Sequence, residues 1–280
     1  MLKQRLITAF MLIPLVVWGV LALPTVYLAA LLGLIVLLGA HEWSHFFPWP
    51  TARRRFYVGA MAVALLIAYN TLTNTVLQLL IYTTALLWWL VALRWVYQAR
   101  TTGVPGVPRE WLINSTGNNY AGGAFGFVVL LPCFVALISL HQNPDFGPGY
   151  TLFCMALMWV ADSGAYFAGR KWGKTKLAPG VSPGKTWQGV WGALAVGAIW
   201  SLLGALLLEM SAGQTLGFIL FCGVVVAFSI LGDLFESLFK RLAQVKDSGQ
   251  LLPGHGGVLD RIDSLTAAAP LFALGLLLFF

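Results

Sequence analysis

Charge is scarce in this chain. Asp, Glu, Lys and Arg together supply 10% of its 280 residues, where soluble globular proteins carry about 25%. So few charged groups cannot cover the surface of a water-soluble fold of this length, and that class is excluded. Disorder is excluded as well, because 59% of the residues are hydrophobic and disordered chains are poor in such residues. Cysteine is equally sparse: Cys133, Cys154 and Cys222 are scattered through apolar runs, the pattern of small buried hydrophobes rather than of a disulfide or metal set. Internal repeats and low-complexity tracts are missing. So is a clear small-residue cleavage site after the first apolar run, which therefore reads as a retained helix and not as a signal peptide. What the chain has in quantity is 12 Trp and 30 Gly, suited to close helix packing in lipid and to anchoring at its edges.

A helix needs about 20 residues to cross the hydrocarbon core. Apolar segments fall at 6–23, 24–40, 57–70, 75–97, 121–140, 150–168, 187–208, 213–235 and 265–280. This predicts an all-α, polytopic integral membrane bundle of about nine transmembrane helices, with Pro14 and Pro132 bending theirs. Eight spans is the alternative, with the short third segment re-entrant. The basic residues favour nine. Lys3 and Arg5, Arg53–Arg55, the group Arg94, Arg100 and Arg109, the run from Arg170 to Lys185, and the set Lys240, Arg241, Lys246 and Arg261 account for all 17, and every one falls on the same side. The opposite connections, around Asn70–Asn74, His141–Gly149 and Glu209–Gly213, hold none. Positive-inside bias makes the basic side and the N-terminus cytoplasmic. Residues 1–149 then form N-terminal transmembrane helices, and residues 150–280 a C-terminal transmembrane region with cytoplasmic loops 170–188 and 236–264.

In the first half the notable polar cluster is His41-Glu42-Trp43-Ser44-His45. It is a literal HExxH, the zinc-metalloprotease pattern, yet no third ligand is near, and an interfacial polar cluster is the favoured reading. The loop after span six carries Arg170, Lys171, Lys174, Lys176 and Lys185 and no acid, so it should seek anionic headgroups or substrate phosphates. Gly184-Lys185-Thr186 fails as a P-loop, because Pro179 stands where the first glycine is required.

The loop after span eight is the most informative. Asp233 and Ser237 are four apart, as are Asp260 and Ser264, so each pair shares a helix face. Carboxylate and hydroxyl oxygens at the cytoplasmic ends of two helices are hard ligands suited to Mg²⁺, which completes its shell with water and phosphates. The glycines around His255 suit close approach of backbone to a ligand, and Asp233 at the end of an apolar run is costly unless paired or functional.

The stretch from Ser237 to Asp263 resembles the signature of the phosphatidate cytidylyltransferase (CDP-diacylglycerol synthase) family. It matches as Ser237-x-Phe239-Lys240-Arg241, Lys246-Asp247-x-Gly249, Leu252-Pro253-x-His255-Gly256-Gly257 and Asp260-Arg261-Ile262-Asp263. A second region, from Asp162-Ser163-Gly164-Ala165-Tyr166 to Ser182-Pro183-x-Lys185-Thr186, is similar to the family's other characteristic segment, although many members have Lys at Gly184 and Glu at Gln188. The resemblance implies transfer of the cytidylyl group of CTP to phosphatidic acid, giving CDP-diacylglycerol and pyrophosphate, with Mg²⁺ and a second, monovalent ion such as K⁺. It implies a metal centre of Asp233, Ser237 and Asp260 near the CTP phosphates. The expected catalytic set is Asp233, Asp260, Ser237, Lys240 and Arg261, and the expected substrate-binding set is Lys185, Ser182, Lys246, His255, Gly256, Gly257 and Asp162. Asp162 is read as supporting the metal or neutralising Lys in preference to ligating directly, and His255 as a turn or phosphate contact and not a general base.

The nucleophile, a phosphatidate oxygen, is already anionic at neutral pH, so no deprotonating base is needed; the demand is for stabilised phosphate charge. Expected partners are CTP, phosphatidic acid and membrane lipids in a bacterial inner membrane, with no nucleic acid; the resemblance also suggests a homodimer. A transporter is the competing class, but inverted repeats and paired broken helices are absent. A CDP-alcohol phosphatidyltransferase is disfavoured because its Asp-Gly followed by Ala-Arg spacing is missing.

Overall fold

The computed structural model describes residues 13–104, 120–251 and 256–279. They fold into nine helices: α1 (Ile13–Ala22), α2 (Thr25–Ser44), α3 (Thr51–Asn70), α4 (Thr75–Thr102), α5 (Tyr120–His141), α6 (Pro148–Trp172), α7 (Trp187–Leu207), α8 (Ala212–Leu242) and α9 (Leu259–Phe279). Seven of them, α2 and α4 to α9, are long and apolar enough to cross a bilayer. Helix α3 has the length, at 20 residues, but Arg53, Arg54 and Arg55 lie inside its first turns and not in a loop before it. The chain is a polytopic helical membrane protein. One antiparallel hairpin, β1 (Lys176–Ala178) with β2 (Ser182–Thr186), interrupts the helices between α6 and α7.

Several helices outrun their apolar segments. At 1.5 Å per residue, the 31 residues of α8 extend about 46 Å, against roughly 30 Å of hydrocarbon. Its last turns, from Asp233 to Arg241, therefore emerge on the side that carries the basic residues.

Small residues decide which helices lie closest. Helix α7 buries Gly189, Ala193, Gly197, Ser201 and Ala205, a stripe of period four along one face. Helix α6 answers with Ala161, Gly164 and Ala168. A Cβ built on Gly164 would stand 2.6 Å from the Gly192 carbonyl oxygen, so the two backbones are in contact there, as in other small-residue interfaces in lipid.

Helix α9 is the centre of the bundle. Its run from Ser264 to Pro270 is buried without a break, and it packs on α8, α5, α4, α6 and α2. The C-terminal end of α2 is locked onto α8 by Trp43, whose ring lies 4.8 Å from that of Phe239 and whose Nε1 donates to the Gly122 carbonyl at 3.0 Å.

The hairpin is held from three sides. Gly180 N donates to Arg100 O at the end of α4 (2.8 Å), and Arg241 Nε of α8 donates to Val181 O (3.2 Å). Thr186 Oγ1 caps α7 by accepting from Gly189 N at 3.1 Å, a standard N-cap. Gln188 Oε1 accepts from Lys174 N and Thr175 N, at 3.1 and 3.2 Å. This fixes the path of the chain from α6 into β1.

Candidate active site

On α8, Asp233, Glu236, Ser237 and Lys240 follow at spacings of three and four, which places them on one face. Ser237 Oγ donates to Asp233 Oδ1 at 3.3 Å. Strand β2 delivers Lys185 to the same carboxylate: its Nζ lies 2.7 Å from Asp233 Oδ2 and 3.4 Å from Ile230 O. Lys240 then ties α8 to α9, with Nζ 2.6 Å from Asp260 Oδ1 and 3.3 Å from Glu236 Oε2. Asp260 Oδ2 accepts from Gly257 N (2.8 Å), Ser248 N (3.0 Å) and Ser248 Oγ (2.9 Å). Helix α6 adds Asp162, which interacts electrostatically with Asp233, Lys185 and Arg261. Four separate segments therefore bring alternating carboxylates and ammonium groups to one place.

Of the residues expected at the site, Asp162, Lys185, Asp233, Ser237, Lys240, Gly257, Asp260 and Arg261 meet. Gly256 joins them: its φ is 78°, a value that favours glycine, and a Cβ there would stand 2.6 Å from Asp260 Oδ2. Ser182 opens β2 opposite Ala178, and Lys246 is exposed on the loop; among the described residues neither side chain makes a hydrogen bond or ion pair. His255 lies outside the described residues. The expected Asp260–Ser264 pair does not form, because Ser264 N donates to its neighbour Asp263 at 2.7 Å and its hydroxyl turns the same way.

Three participants were not visible as such in the sequence. Glu236 is 2% exposed and faces Lys240 from below. Ser248 donates to Asp260 from the loop. Glu42, 7% exposed, accepts from Val258 N (3.0 Å), Leu259 N (2.7 Å) and Ser248 Oγ (3.0 Å). Its carboxylate is thus engaged with the start of α9 and is not turned to its histidines; those pack on each other, with ring centroids 4.6 Å apart. The available signal was its isolation: Glu42 is the only acidic residue before Glu110.

A cavity of about 550 Å³ opens beside the cluster. Leu32, Val36, Phe134 and Met155 form part of its apolar wall, and Asp162, Asp260, Arg261 and Asp263 its charged end. The profile of the cytidylyltransferase family matches residues 3–279. The chain belongs to that family. It is similar to the phosphatidate cytidylyltransferase of Pseudomonas aeruginosa, 41% identical over 273 residues, which is 98% of this chain and 96% of the relative. The corresponding Haemophilus influenzae protein is 39% identical over 295 residues, covering 98% of each. That of Bacillus subtilis is 36% identical over 170 residues, 58% of this chain and 62% of the relative. In this family member the charged cluster and the cavity form one continuous site.

The donors suit a hard cation. Asp233, Ser237 and Asp260 offer oxygen only, and the ammonium groups of Lys185 and Lys240 rest on the two carboxylates as a metal cation would. Among the described residues no three His, Cys, Asp or Glu side chains form a metal cage. A cation held here must draw further ligands from the hydroxyl, water and phosphates, the habit of Mg²⁺.

Proposed function

We propose that this chain transfers the cytidylyl group of CTP to phosphatidic acid, producing CDP-diacylglycerol and pyrophosphate at the cytoplasmic face of a bacterial inner membrane. The observation that carries the reading is the join between an apolar cavity and a cluster of lysines and aspartates. A lipid phosphate and a nucleotide triphosphate can meet there, one from the bilayer and one from water. The names of the full-length relatives point to the same reaction.

The chemistry asks little of proton transfer. A phosphatidate oxygen attacks the α-phosphorus of CTP, the α–β bridging P–O bond breaks, and pyrophosphate leaves with the electron pair. Lys185 and Lys240, now paired with Asp233 and Asp260, are placed to turn to the phosphates as they arrive and offset charge that grows on the leaving group. Arg261, exposed and part of the cavity lining, would orient the lipid phosphate. Asp233, Ser237 and Asp260 are the residues that would hold Mg²⁺, which supplies charge neutralisation at the phosphate oxygens. The Asp233 and Asp260 side chains have a second task, that of keeping the two lysines aligned before substrate binds.

The test is release of pyrophosphate from CTP by the purified protein in mixed micelles with and without phosphatidic acid. Phosphatidate-dependent release is expected. Replacing Asp260 by Asn should lower it by about 10²–10³-fold, the range for losing one electrostatic stabiliser, and a chelator should abolish it. Full activity of Asp260→Asn would remove Asp260 from the metal centre, and no activity with phosphatidate would remove the reaction itself.

A further inference from the structure

The motif that looks like a zinc site holds instead the start of the last helix. The first N–H groups of any helix lack intrahelical acceptors. In α9 those of Val258 and Leu259 are met by Glu42, which lies 216 and 217 residues earlier in the chain. A carboxylate at that end also complements the helix dipole. Asp260 is the next residue after Leu259. Ser248 connects the two acids: its hydroxyl is 3.0 Å from Glu42 Oε2 and 2.9 Å from Asp260 Oδ2, and its single proton serves both. The fit around Glu42 leaves no slack, because a Cβ on Gly249 or on Gly257 would run into its carboxylate. Glu42 is itself fixed by its neighbour Trp43, wedged against Phe239 and bonded to Gly122.

We infer that Glu42 is a positioning residue for the transferase: through Val258, Leu259 and Ser248 it sets where Asp260 stands relative to Asp233, and thereby the spacing of the cation site. The inference rests on the reading of Asp260 as a cation ligand. Glu42 directs its carboxylate to Val258 N, Leu259 N and Ser248 Oγ and would act on the site through Asp260. Among the described residues neither histidine side chain hydrogen-bonds Glu42, and His45 Nδ1 bonds back to His41 O, at 2.8 Å.

The experiment compares the full-length protein with Glu42→Gln in detergent. The amide side chain sets its NH₂ against one of the donors that the carboxylate accepted. Without Mg²⁺ or substrates, amide exchange over residues 256–262 should accelerate about 10-fold or more, the equivalent of a buried donor losing its acceptor. With substrates, kcat should fall by about 10-fold or more and the Mg²⁺ concentration for half-maximal rate should rise, while KM for phosphatidate stays within roughly two-fold. His41→Ala and His45→Ala should change none of these. Unaltered exchange, or an unaltered Mg²⁺ dependence in a variant that folds, overturns the inference. If Glu42→Gln fails to fold, Ser248→Ala decides, since it removes the bridging hydroxyl and leaves the two α9 amides capped; an unshifted Mg²⁺ dependence there overturns it. A wild-type protein without transferase activity but with a Glu42-dependent exchange rate would refute the proposed reaction alone.

Discussion

Lys240 is the most heavily committed cation in the site, and its removal separates structure from chemistry. Its ammonium lies between Asp260 and Glu236, at 2.6 and 3.3 Å, and the side chains of Lys240, Glu236 and Asp260 are 13%, 3% and 7% exposed. All are well shielded from water, so solvent screening takes little from their interaction. Lys240→Met keeps most of the volume and leaves two carboxylates facing each other without a cation. Breaking a buried pair in this way typically costs about 3–5 kcal/mol. Asp260 retains three donors from Gly257 and Ser248, whereas among the described residues neither oxygen of Glu236 has a well-aligned hydrogen bond and its other close neighbour is the Asp263 carboxyl. Most of the loss therefore belongs to Glu236. Adding Glu236→Gln to the variant should recover more than half of it, a coupling of about 2 kcal/mol or more between contacting residues. Denaturation in mixed micelles, followed by tryptophan fluorescence, measures each corner of the cycle. Activity should follow a different course, staying down by about 10²–10³-fold in the double variant because the phosphate-directed ammonium is still missing. A single variant destabilised by less than about 1 kcal/mol, as expected of an exposed pair, would refute the reasoning, as would a double variant no more stable than the single one.

Two other perturbations probe the scaffold. Gly164→Val drives a side chain into the Gly192 carbonyl and Val196 and should destabilise the protein by about 3 kcal/mol, the upper range for overpacking, with a matching loss of folded material in size-exclusion chromatography. Gln188→Glu keeps an oxygen for the Lys174 and Thr175 amides and should leave the transferase rate within about two-fold, whereas Gln188→Ala hands both exposed amides to water and should lower stability by only about 0.5–1.5 kcal/mol.

The bundle was legible because apolar runs near 20 residues have one stable form in lipid. The helix ends were not. Span eight was expected to stop at 235 and α8 continues to Leu242; span nine was expected from 265 and α9 starts at Leu259. Hydropathy falls where the hydrocarbon ends, but backbone hydrogen bonding carries the helix on into the interface, and the site is built on those extra turns. The hairpin escaped notice because a three-residue and a five-residue strand leave no usable periodicity. Asp233 and Ser237 were readable from their spacing, and Asp260 from the motif around it. Their partners were not: Lys185 and Asp233, or Glu42 and Leu259, are brought together by tertiary packing, and no local pattern encodes a contact over such separations. Gln188, where many family members have Glu, presents an acceptor oxygen to the Lys174 and Thr175 amides, a contact that tertiary packing makes.

The clasp between Glu42 and the beginning of α9, together with the Arg100–Gly180 bond that pins the hairpin to α4, bears on how the chain can be divided. Residues 150–280 carry the lysines and aspartates, yet the parts that keep them in register come from before residue 105. A cut in the connection between α5 and α6 would therefore yield two fragments that depend on reassembly, and the carboxyl-terminal one would hold every reactive side chain without the brace that aligns them.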